Sequence, residues 1–119
     1  MIYSLGENQD LSFLEERELE QVAIGVYQVI FNFDQNMSIM VEDRFEFSSG
    51  SEVHVWKPGA TSVAGITASL LGEKVKKVRV GSGSSVELVF SGNKRLMLTP
   101  EKSRYESYQI THRGGSIIV

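Results

Sequence analysis

Two short stretches decide the fold class of this chain: Val29-Ile-Phe31-Asn-Phe33 and Val86-Glu-Leu88-Val-Phe90. Large apolar residues recur at every second position in both, which is the period of a β-strand that buries one face. The three- and four-residue spacing of an amphipathic helix fits neither stretch. We therefore predict a β-rich protein.

The two stretches lie within a longer internal repeat. Residues 19–24 (Leu-Glu-Gln-Val-Ala-Ile) match residues 75–80 (Val-Lys-Lys-Val-Arg-Val) before them, and residues 39–41 (Ile-Met-Val) match residues 96–98 (Leu-Met-Leu) after them. Recurrence of one unit at a nearly constant offset indicates duplication. We predict a single domain, residues 1–119, made of two β repeats, about 14–56 and 70–119, joined by a helix.

Turn-forming residues separate the apolar runs, because glycine and asparagine tolerate positive φ angles, and hairpins follow from them. The predicted fold class is α+β: a duplicated antiparallel β-meander, folded as a sandwich or a partly open barrel, with one helix near 60–71. The predicted strands cover residues 18–24, 27–33, 37–42, 44–48, 52–56, 74–80, 85–90, 95–99, 106–111 and 116–119.

The one clear helical pattern lies between the repeats. It places Val63, Ile66, Thr67 and Leu70 on a single helical face, and Gly72 follows as a stop signal. We expect this helix to lay its apolar face on the sheet.

Charge is divided unevenly along the chain. The 119 residues carry 12 Lys and Arg against 15 Asp and Glu, and the lack of cysteine excludes disulfides and thiolate chemistry. Residues 1–60 hold three basic and eleven acidic residues, whereas residues 61–119 hold nine basic and four acidic ones. Such halves can attract each other or a partner. No apolar run reaches the ~20 residues of a membrane helix and no secretory signal is visible, so we expect a cytoplasmic protein without a membrane partner.

No arrangement of residues predicts catalysis. His54 and His112 stand outside any metal-binding motif, and His54 is expected to face solvent on its strand. The glycine-rich residues 81–85 lack the lysine and the following helix of a phosphate-binding loop, and no serine has a nucleophile-elbow context. We predict no enzyme activity, no cofactor and no metal.

The basic second half invites a comparison with nucleic-acid-binding proteins. Lys77 and Arg79 alternate with valines and should share one strand face, yet no aromatic stacking residues are interleaved with them. The net acidity of the chain also opposes attraction to phosphates. Nucleic acid is therefore disfavoured as a partner.

Binding to another protein is the function that we predict. Acidic residues of the first half are candidates to steer a basic partner, with a tryptophan as anchor, because Trp, Tyr and Arg are enriched in interface hot spots. The predicted partner-binding set is Glu15, Glu16, Glu18, Glu20, Asp34, Glu42, Asp43 and Trp56.

A repeated Arg-aromatic-Glu motif gives a second candidate surface. Arg44-Phe45-Glu46 is aligned with Arg104-Tyr105-Glu106, so that each aromatic side chain anchors the core and each charged pair shares the opposite strand face. An exposed ion pair of little energetic worth is the plainer interpretation. A groove between the repeats would be lined by Arg44, Glu46, His54, Arg104, Glu106 and Tyr108.

The second half also resembles a known kind of sequence. The residues Leu70-Leu-Gly72-Glu-Lys-Val75, then Tyr105-Glu-Ser-Tyr108, then the turn Arg113-Gly-Gly115, are similar to those of a bacterial domain-of-unknown-function family of small β-rich proteins. The similarity is good over the last half of the chain and looser before it. It implies a cytosolic protein without an assigned reaction, of a kind similar to immunity proteins that neutralise secreted toxins.

Three functions stay open. The first is a protein-binding module, most concretely an immunity-type protein that covers a toxin by occlusion and charge complementarity. The second is a small ligand-binding or enzymatic β domain with a cleft between the repeats. The third is a self-associating structural module, a homodimer in which Ser116–Val119 pairs at an exposed sheet edge.

Overall fold

The computed structural model describes residues 9–101 and 106–119. Within these ranges the chain forms ten strands, each within two residues of a predicted one, so the prediction of an α+β fold built from antiparallel strands is confirmed. The strands are β1 (Leu19–Ile24), β2 (Val29–Phe33), β3 (Ser38–Val41), β4 (Phe45–Ser49), β5 (Glu52–Trp56), β6 (Val75–Val80), β7 (Val86–Phe90), β8 (Lys94–Leu98), β9 (Tyr108–His112) and β10 (Gly115–Ile118).

The strands form two antiparallel sheets. Sheet I has the order β1-β2-β3-β9-β10, and sheet II has the order β5-β4-β8-β7-β6. Alternate side chains of both sheets point into one core, where Phe31 of sheet I meets Phe45 of sheet II edge-on, with ring centroids 5.5 Å apart. Phe33 of sheet I and Phe90 of sheet II stack in the same core at 6.4 Å. The sheets are not joined into a barrel, so the fold is a sandwich.

Both halves of the chain build the sandwich in the same way. β1, β2 and β3 form a meander in sheet I, and the hairpin β4–β5 that follows lies in sheet II. β6, β7 and β8 form the meander of sheet II, and the hairpin β9–β10 lies in sheet I. Each hairpin pairs with the third strand of the other half, β4 with β8 and β9 with β3. Each sheet therefore contains strands from both halves.

The register makes individual residues of the two halves equivalent. Phe31 on β2 pairs with Ile39 on β3, and Leu88 on β7 pairs with Leu96 on β8. All four are fully buried. β1 and β6 each carry an irregularity after their first residue. That this correspondence arose by duplication of one unit stays a prediction.

The predicted match between Phe45 and Tyr105 is wrong. Phe45 on β4 pairs with Leu98 on β8. The residue equivalent to Leu98 in the first half is Val41 on β3, and Val41 pairs with Tyr108 on β9. Tyr108 is therefore the counterpart of Phe45, because the segment before β9 is three residues longer than the alignment assumed. Tyr105 itself lies outside the described residues.

The predicted helix between the repeats is shorter and less regular than expected. Its α-helical part, α1, spans Thr61–Ile66, and a 3-10 helix continues over Thr67–Leu70. The Thr67 hydroxyl donates a hydrogen bond to the carbonyl oxygen of Ala64 (2.6 Å), a local bond that competes with regular α-helical pairing. Ala64 is buried, whereas Ile66, predicted to face the sheet, is 40% exposed.

The helix closes one side of the sandwich. α1 packs against β1 and β5, which are edge strands of sheet I and sheet II, respectively. A 3-10 turn, Ser12–Leu14, packs against β6 at another edge. No helix in the described part of the chain has the length and apolar character needed to cross a lipid bilayer.

The equivalence of the two halves makes a prediction about stability. Phe31→Ala and Leu88→Ala each remove a fully buried side chain, so we expect losses of about 3–5 and 2–5 kcal/mol in the free energy of unfolding. Urea titration followed by circular dichroism measures both. Val53→Ala is the control, because Val53 is 59% exposed and its truncation should cost less than about 0.5 kcal/mol. A small loss at either core position would contradict this packing.

Candidate functional site

His54 does not face solvent as predicted. It pairs with Phe47 across β4 and β5, shares the inner side of sheet II with that buried ring and stacks on it with centroids 6.5 Å apart. Its neighbours Val53 and Val55 point outward instead and are 59% and 42% exposed. The alternation along β5 was therefore predicted with the correct period and the wrong phase.

The surroundings of both histidines are structural. The Nε2 atom of His54 lies 3.6 Å from a carboxylate oxygen of Glu52. The His112 ring packs on Phe13 with centroids 4.6 Å apart, and its Nδ1 accepts the N–H of Gly114. In residues 9–101 and 106–119, no group of three or more His, Asp and Glu side chains could hold a metal ion.

Of the described residues predicted to line a groove between the repeats, Arg44 and Glu46 are bonded to each other. Arg44 and Glu46 form an ion pair at 2.9 Å, and nothing in the described ranges bonds this pair to the other groove candidates. Those candidates within the described ranges are His54, Glu106 and Tyr108. Arg104 lies outside the described residues.

Arg44 instead belongs to a cluster of charges that fastens the segment after β8. Its Nε lies 3.6 Å from Glu101, and Lys57 Nζ lies 2.9 Å from the same carboxylate. The hydrogen bond from Lys57, followed by the charges of Lys57 and Arg44, lowers the pKa of Glu101. The Glu101 backbone N–H donates to Asp43 at 2.7 Å. Asp43, predicted to steer a partner, is thus engaged within the chain.

The acidic residues predicted as one steering surface fall into separate groups. At one end of sheet I, the Glu18 N–H donates to Asp34 Oδ1 at 3.1 Å, and the exposed Glu20 follows on β1. Glu42 and Asp43 follow the last residue of β3, at the opposite end of the same sheet.

Two other predicted steering residues are attached to sheet II. A carboxylate oxygen of Glu15 accepts the backbone N–H of Val78 on β6 at 3.3 Å. Glu16 pairs with Lys76 on the same strand at 3.3 Å. These two carboxylates help to close the edge of β6.

Trp56 is not available as a partner anchor. It is fully buried and stacks on Phe45 with centroids 5.1 Å apart. Its position on β5 pairs with Phe45, so its side chain shares the inner face of sheet II. Its indole N–H has no hydrogen-bond partner within the described part of the chain. Burial of the largest aromatic side chain in the core is the physical reason for this correction.

The outer side of sheet I has no ionisable side chain at any of its ten paired positions. We call this surface the neutral face. One row across the five strands is mostly apolar, and the next is polar but uncharged, with a hydrogen bond of 2.9 Å from Asn32 to Gln21. None of the ten residues is buried. In register order, the rows are Ala23, Ile30, Met40, Gln109 and Ile118, and Gln21, Asn32, Ser38, Thr111 and Ser116.

The equivalent side of sheet II is charged, and we call it the charged face. Glu87 lies 3.4 Å from Arg79 and 3.5 Å from Arg95. Glu87 occupies the position of Ile30 on the neutral face, and Arg95 that of Ser38. The face consists of Lys77, Arg79, Glu87, Val89, Arg95, Met97, Glu46, Ser48, Val53 and Val55.

The charged face also contains a shallow depression of ≈ 120 Å³. Its rim combines carboxylates with one guanidinium and with apolar side chains. The lining residues are Glu46, Ser48, Val53, Glu87, Arg95 and Met97. Lys77 and Arg79 share this outer side, as predicted, since they pair with Val89 and Glu87.

Tyr27 is an exposed aromatic residue that the sequence analysis missed. It lies in the turn between β1 and β2, at one end of the neutral face, and is 73% exposed. Its neighbour Val26 is 55% exposed, and the Val26 carbonyl oxygen accepts the N–H of Gly59. The predicted strand over residues 27–33 included Tyr27, whereas β2 begins at Val29, so a correct strand boundary would have placed this aromatic residue in a turn, where burial is not expected.

Tyr108 has a structural role. It is buried, and its hydroxyl donates to the carbonyl oxygen of Ser84 at 2.7 Å. Burial raises the pKa of Tyr108 well above its usual range. This bond ties the start of β9 to the turn between β6 and β7.

These features define a class of protein: an antiparallel two-sheet sandwich of ten described strands, with a helix at one edge and two outer faces of different charge. Residues 11–119 match the model of a family of unknown function, DUF6188, and the chain belongs to that family. The resemblance to a domain-of-unknown-function family of small β-rich proteins is thereby confirmed. No curated protein and no solved structure matches the chain.

The burial of Tyr108 makes a prediction about pH. We expect Tyr108→Phe to lower the free energy of unfolding by about 0.5–1.5 kcal/mol at pH 7, because the hydrogen bond from the Tyr108 hydroxyl to the Ser84 carbonyl oxygen is lost. Above about pH 10 the unfolded chain ionises this side chain and the folded chain does not, so the wild type loses stability as the pH rises. The difference in unfolding free energy between wild type and variant should therefore narrow from pH 7 to alkaline pH. A constant difference would contradict a buried, neutral Tyr108.

Proposed function

We propose that this protein is a non-enzymatic protein-binding module, and more specifically an immunity-type protein that neutralises a toxin in the cytoplasm by covering its surface. The observation that carries the proposal is the neutral face, with uncharged side chains at its ten paired positions across five strands and acidic residues near two ends. Its counterpart on sheet II has the equivalent strand pairing and register and carries charged side chains as well. The neutral face is therefore not a necessary product of the fold.

The chemistry of the neutral face suits the centre of an interface. Interface centres are depleted in charged residues, because removing a charge from water is costly unless it is paired. Ile30, Met40 and Ile118 give the face apolar area, and the neighbouring row offers amides and hydroxyls for hydrogen bonds. Five strands at a spacing of roughly 4.8 Å make a surface about 19 Å across, a suitable core for an interface that buries roughly 800 Å² per partner.

The acidic residues fit the rim of the same interface. Glu18 and Asp34 lie just beyond one end of the sheet, and Glu20 lies at the irregularity of β1 near that end. Glu42 lies beyond the other end, next to Asp43, whose carboxylate accepts the Glu101 N–H. Charges at a rim act mainly on the rate of association and on the choice of partner. The toxin surface that we propose therefore has an uncharged centre between basic residues.

Tyr27 replaces Trp56 as the proposed anchor. An exposed tyrosine supplies a large rigid apolar area and a hydroxyl with little loss of conformational entropy, and tyrosine is enriched in hot spots. Its place at the tip of a hairpin lets the ring enter a pocket on the partner while the sheet covers the surface beside it.

A ligand-binding or enzymatic domain is the alternative, and the depression on the charged face is the observation that favours it. The ≈ 120 Å³ of this depression compares with roughly 300–1,000 Å³ in typical small-molecule sites. It lies on the outer side of sheet II and not between the halves of the chain. We therefore favour the protein-binding function.

A pair of matched substitutions tests the neutral face. Met40 and Met97 are equivalent residues at the centres of the two outer faces. We expect Met40→Lys to weaken binding to the cognate toxin at least 100-fold, about 2.7 kcal/mol, because it places an unpaired charge in the interface. Met97→Lys should leave binding within twofold of wild type. The purified products of the genes adjacent to this one are the test partners, and calorimetry measures their affinities. Absence of binding to all of them, or equal loss in both variants, would contradict the proposal.

The acidic rim has its own test. We expect Glu20→Lys to slow association with that partner several-fold in dilute buffer, with little change in dissociation, because it reverses an exposed rim charge. The effect should fade at high salt, where the Debye length falls to about 3 Å at 1 M. Glu52→Lys, at a carboxylate 76% exposed on β5, is the control and should leave the association rate unchanged. Equal slowing by both variants would point to net charge rather than a rim.

A further inference from the structure

The edges of the two sheets differ in how well they are protected. In the described ranges, sheet I ends in β1 and β10, and sheet II ends in β5 and β6. An edge strand has unpaired N–H and C=O groups that can bind another strand, so soluble proteins block such edges with bulges, charges or covering segments. The state of each edge therefore indicates which one is available for pairing.

The edge of β6 is covered by a neighbouring segment, and the edge of β1 is covered at its first residue. Segment 15–17 runs along β6, where the Glu16 N–H donates to the Val75 carbonyl oxygen and the Glu15 carboxylate accepts the Val78 N–H. On β1, the N–H and C=O of Leu19 both bond to the segment that follows the 3-10 helix. Both strands also carry irregularities that interrupt a regular edge.

α1 packs against β5, but no described backbone group bonds to the outward side of this strand. The two-residue turn Gly50–Ser51 joins Ser49 and Glu52 as a hydrogen-bonded pair, so the N–H and C=O groups of Val53 and Val55 point away from β4. No other described backbone segment bonds to these groups. The strand has no irregularity and no charge between its ends.

The outward side chains of β5 add apolar area to this open edge. Val53 and Val55 lie on the same side of the strand and are 59% and 42% exposed. On the equivalent strand β10, the polar Ser116 occupies the position of Val53. The first residue of β10, Gly115, has a φ of 137°, which departs from strand geometry. Of the two open edges, β5 is therefore the more regular and the more apolar.

We propose that β5 pairs with β5 of a second copy of this chain, in antiparallel orientation about a two-fold axis at His54. In this register Val53 lies opposite Val55 of the second copy, and the reverse pair repeats across the axis. The outward N–H and C=O groups of these valines then form four hydrogen bonds, and the four valines make one apolar cluster. The two copies of sheet II become one continuous sheet of ten strands.

Charge also favours a second copy as the occupant of this edge. The charged residues next to β5 have opposite signs at its two ends, Glu52 at the start and Lys57 just after the end. Antiparallel pairing about His54 places Glu52 opposite Trp56 of the second copy at both ends, one residue from that copy's Lys57, which also pairs with Glu101. A parallel strand would place like charges together instead. The neutral face lies on sheet I and stays open for the partner proposed above, so this inference does not rest on that proposal.

A cysteine introduced at the two-fold axis tests the register. His54 would form a non-hydrogen-bonded pair with His54 of the second copy, with Cα atoms about 4.5 Å apart, within the roughly 4.4–6.8 Å of disulfides. The chain contains no cysteine, so His54→Cys has a single thiol. We expect mild oxidation to link it into a disulfide dimer. Ile117→Cys, at the equivalent position on β10, is the control and should stay monomeric on a denaturing gel. Cross-linking of the control alone would overturn the proposal, because it would assign the pairing to β10.

A second pair of variants tests the affinity without cysteine chemistry. Sedimentation of the wild-type chain over a concentration series should show a reversible dimer. We expect Val53→Lys to raise its dissociation constant at least tenfold, and Ser116→Lys, at the equivalent position on β10, to change it less than twofold. Both positions are exposed, and thermal unfolding verifies that both variants fold. A wild-type chain that stays monomeric at about millimolar concentration, or equal effects of both variants, would overturn the proposal.

Discussion

The pairing of each hairpin with the opposite half is the constraint on which the rest of the structure depends. β4 completes sheet II by pairing with β8, and β9 completes sheet I by pairing with β3. These contacts join residues far apart in the chain, so their closure entropy must be overcome before the core forms. Once both pairings exist, the inner sides of the sheets face each other, and residues such as Phe31 and Phe45 are buried together.

Because the core fixes only the inward side chains, the outward ones are free to differ. Equivalent backbone positions hold Ile30 on sheet I and Glu87 on sheet II, or Ser38 and Arg95. On the outer side of sheet II, charged side chains pair with one another, and Glu87 lies between two arginines. Sheet I has no such network and leaves apolar and amide groups exposed. The two sheets therefore differ at their outer surfaces, whereas they share one interior.

The sequence was sufficient to locate the strands, but it was insufficient to determine which strands pair with one another. Alternation located all ten strands, because burial of every second side chain leaves a pattern that any sheet partner would produce. The pairing of β4 with β8 leaves no such local pattern, so neither the exchange of hairpins nor the counterpart of Phe45 could be predicted from the sequence.

On β5, alternation alone does not say which side is inward. Trp56 and His54 point to the inner side of sheet II, and the two valines point outward. Trp56 was a plausible anchor by residue type, but only the fold decides its burial. The neutral face was present in the sequence as uncharged residues between core positions, and comparison of the two repeats at those positions could have found it.

The exchange of hairpins also reduces the structural importance of the covalent connection through α1. That connection is not part of either sheet, so the halves are held by noncovalent strand pairing across the sandwich, much as two subunits are. A polypeptide cut between β5 and β6 would leave each fragment as a meander with an unmatched hairpin and a bare apolar side, and the same sandwich would be restored by association of the fragments. The fold therefore has the arrangement of a dimer within one chain, which makes it a natural framework for split-protein reconstitution.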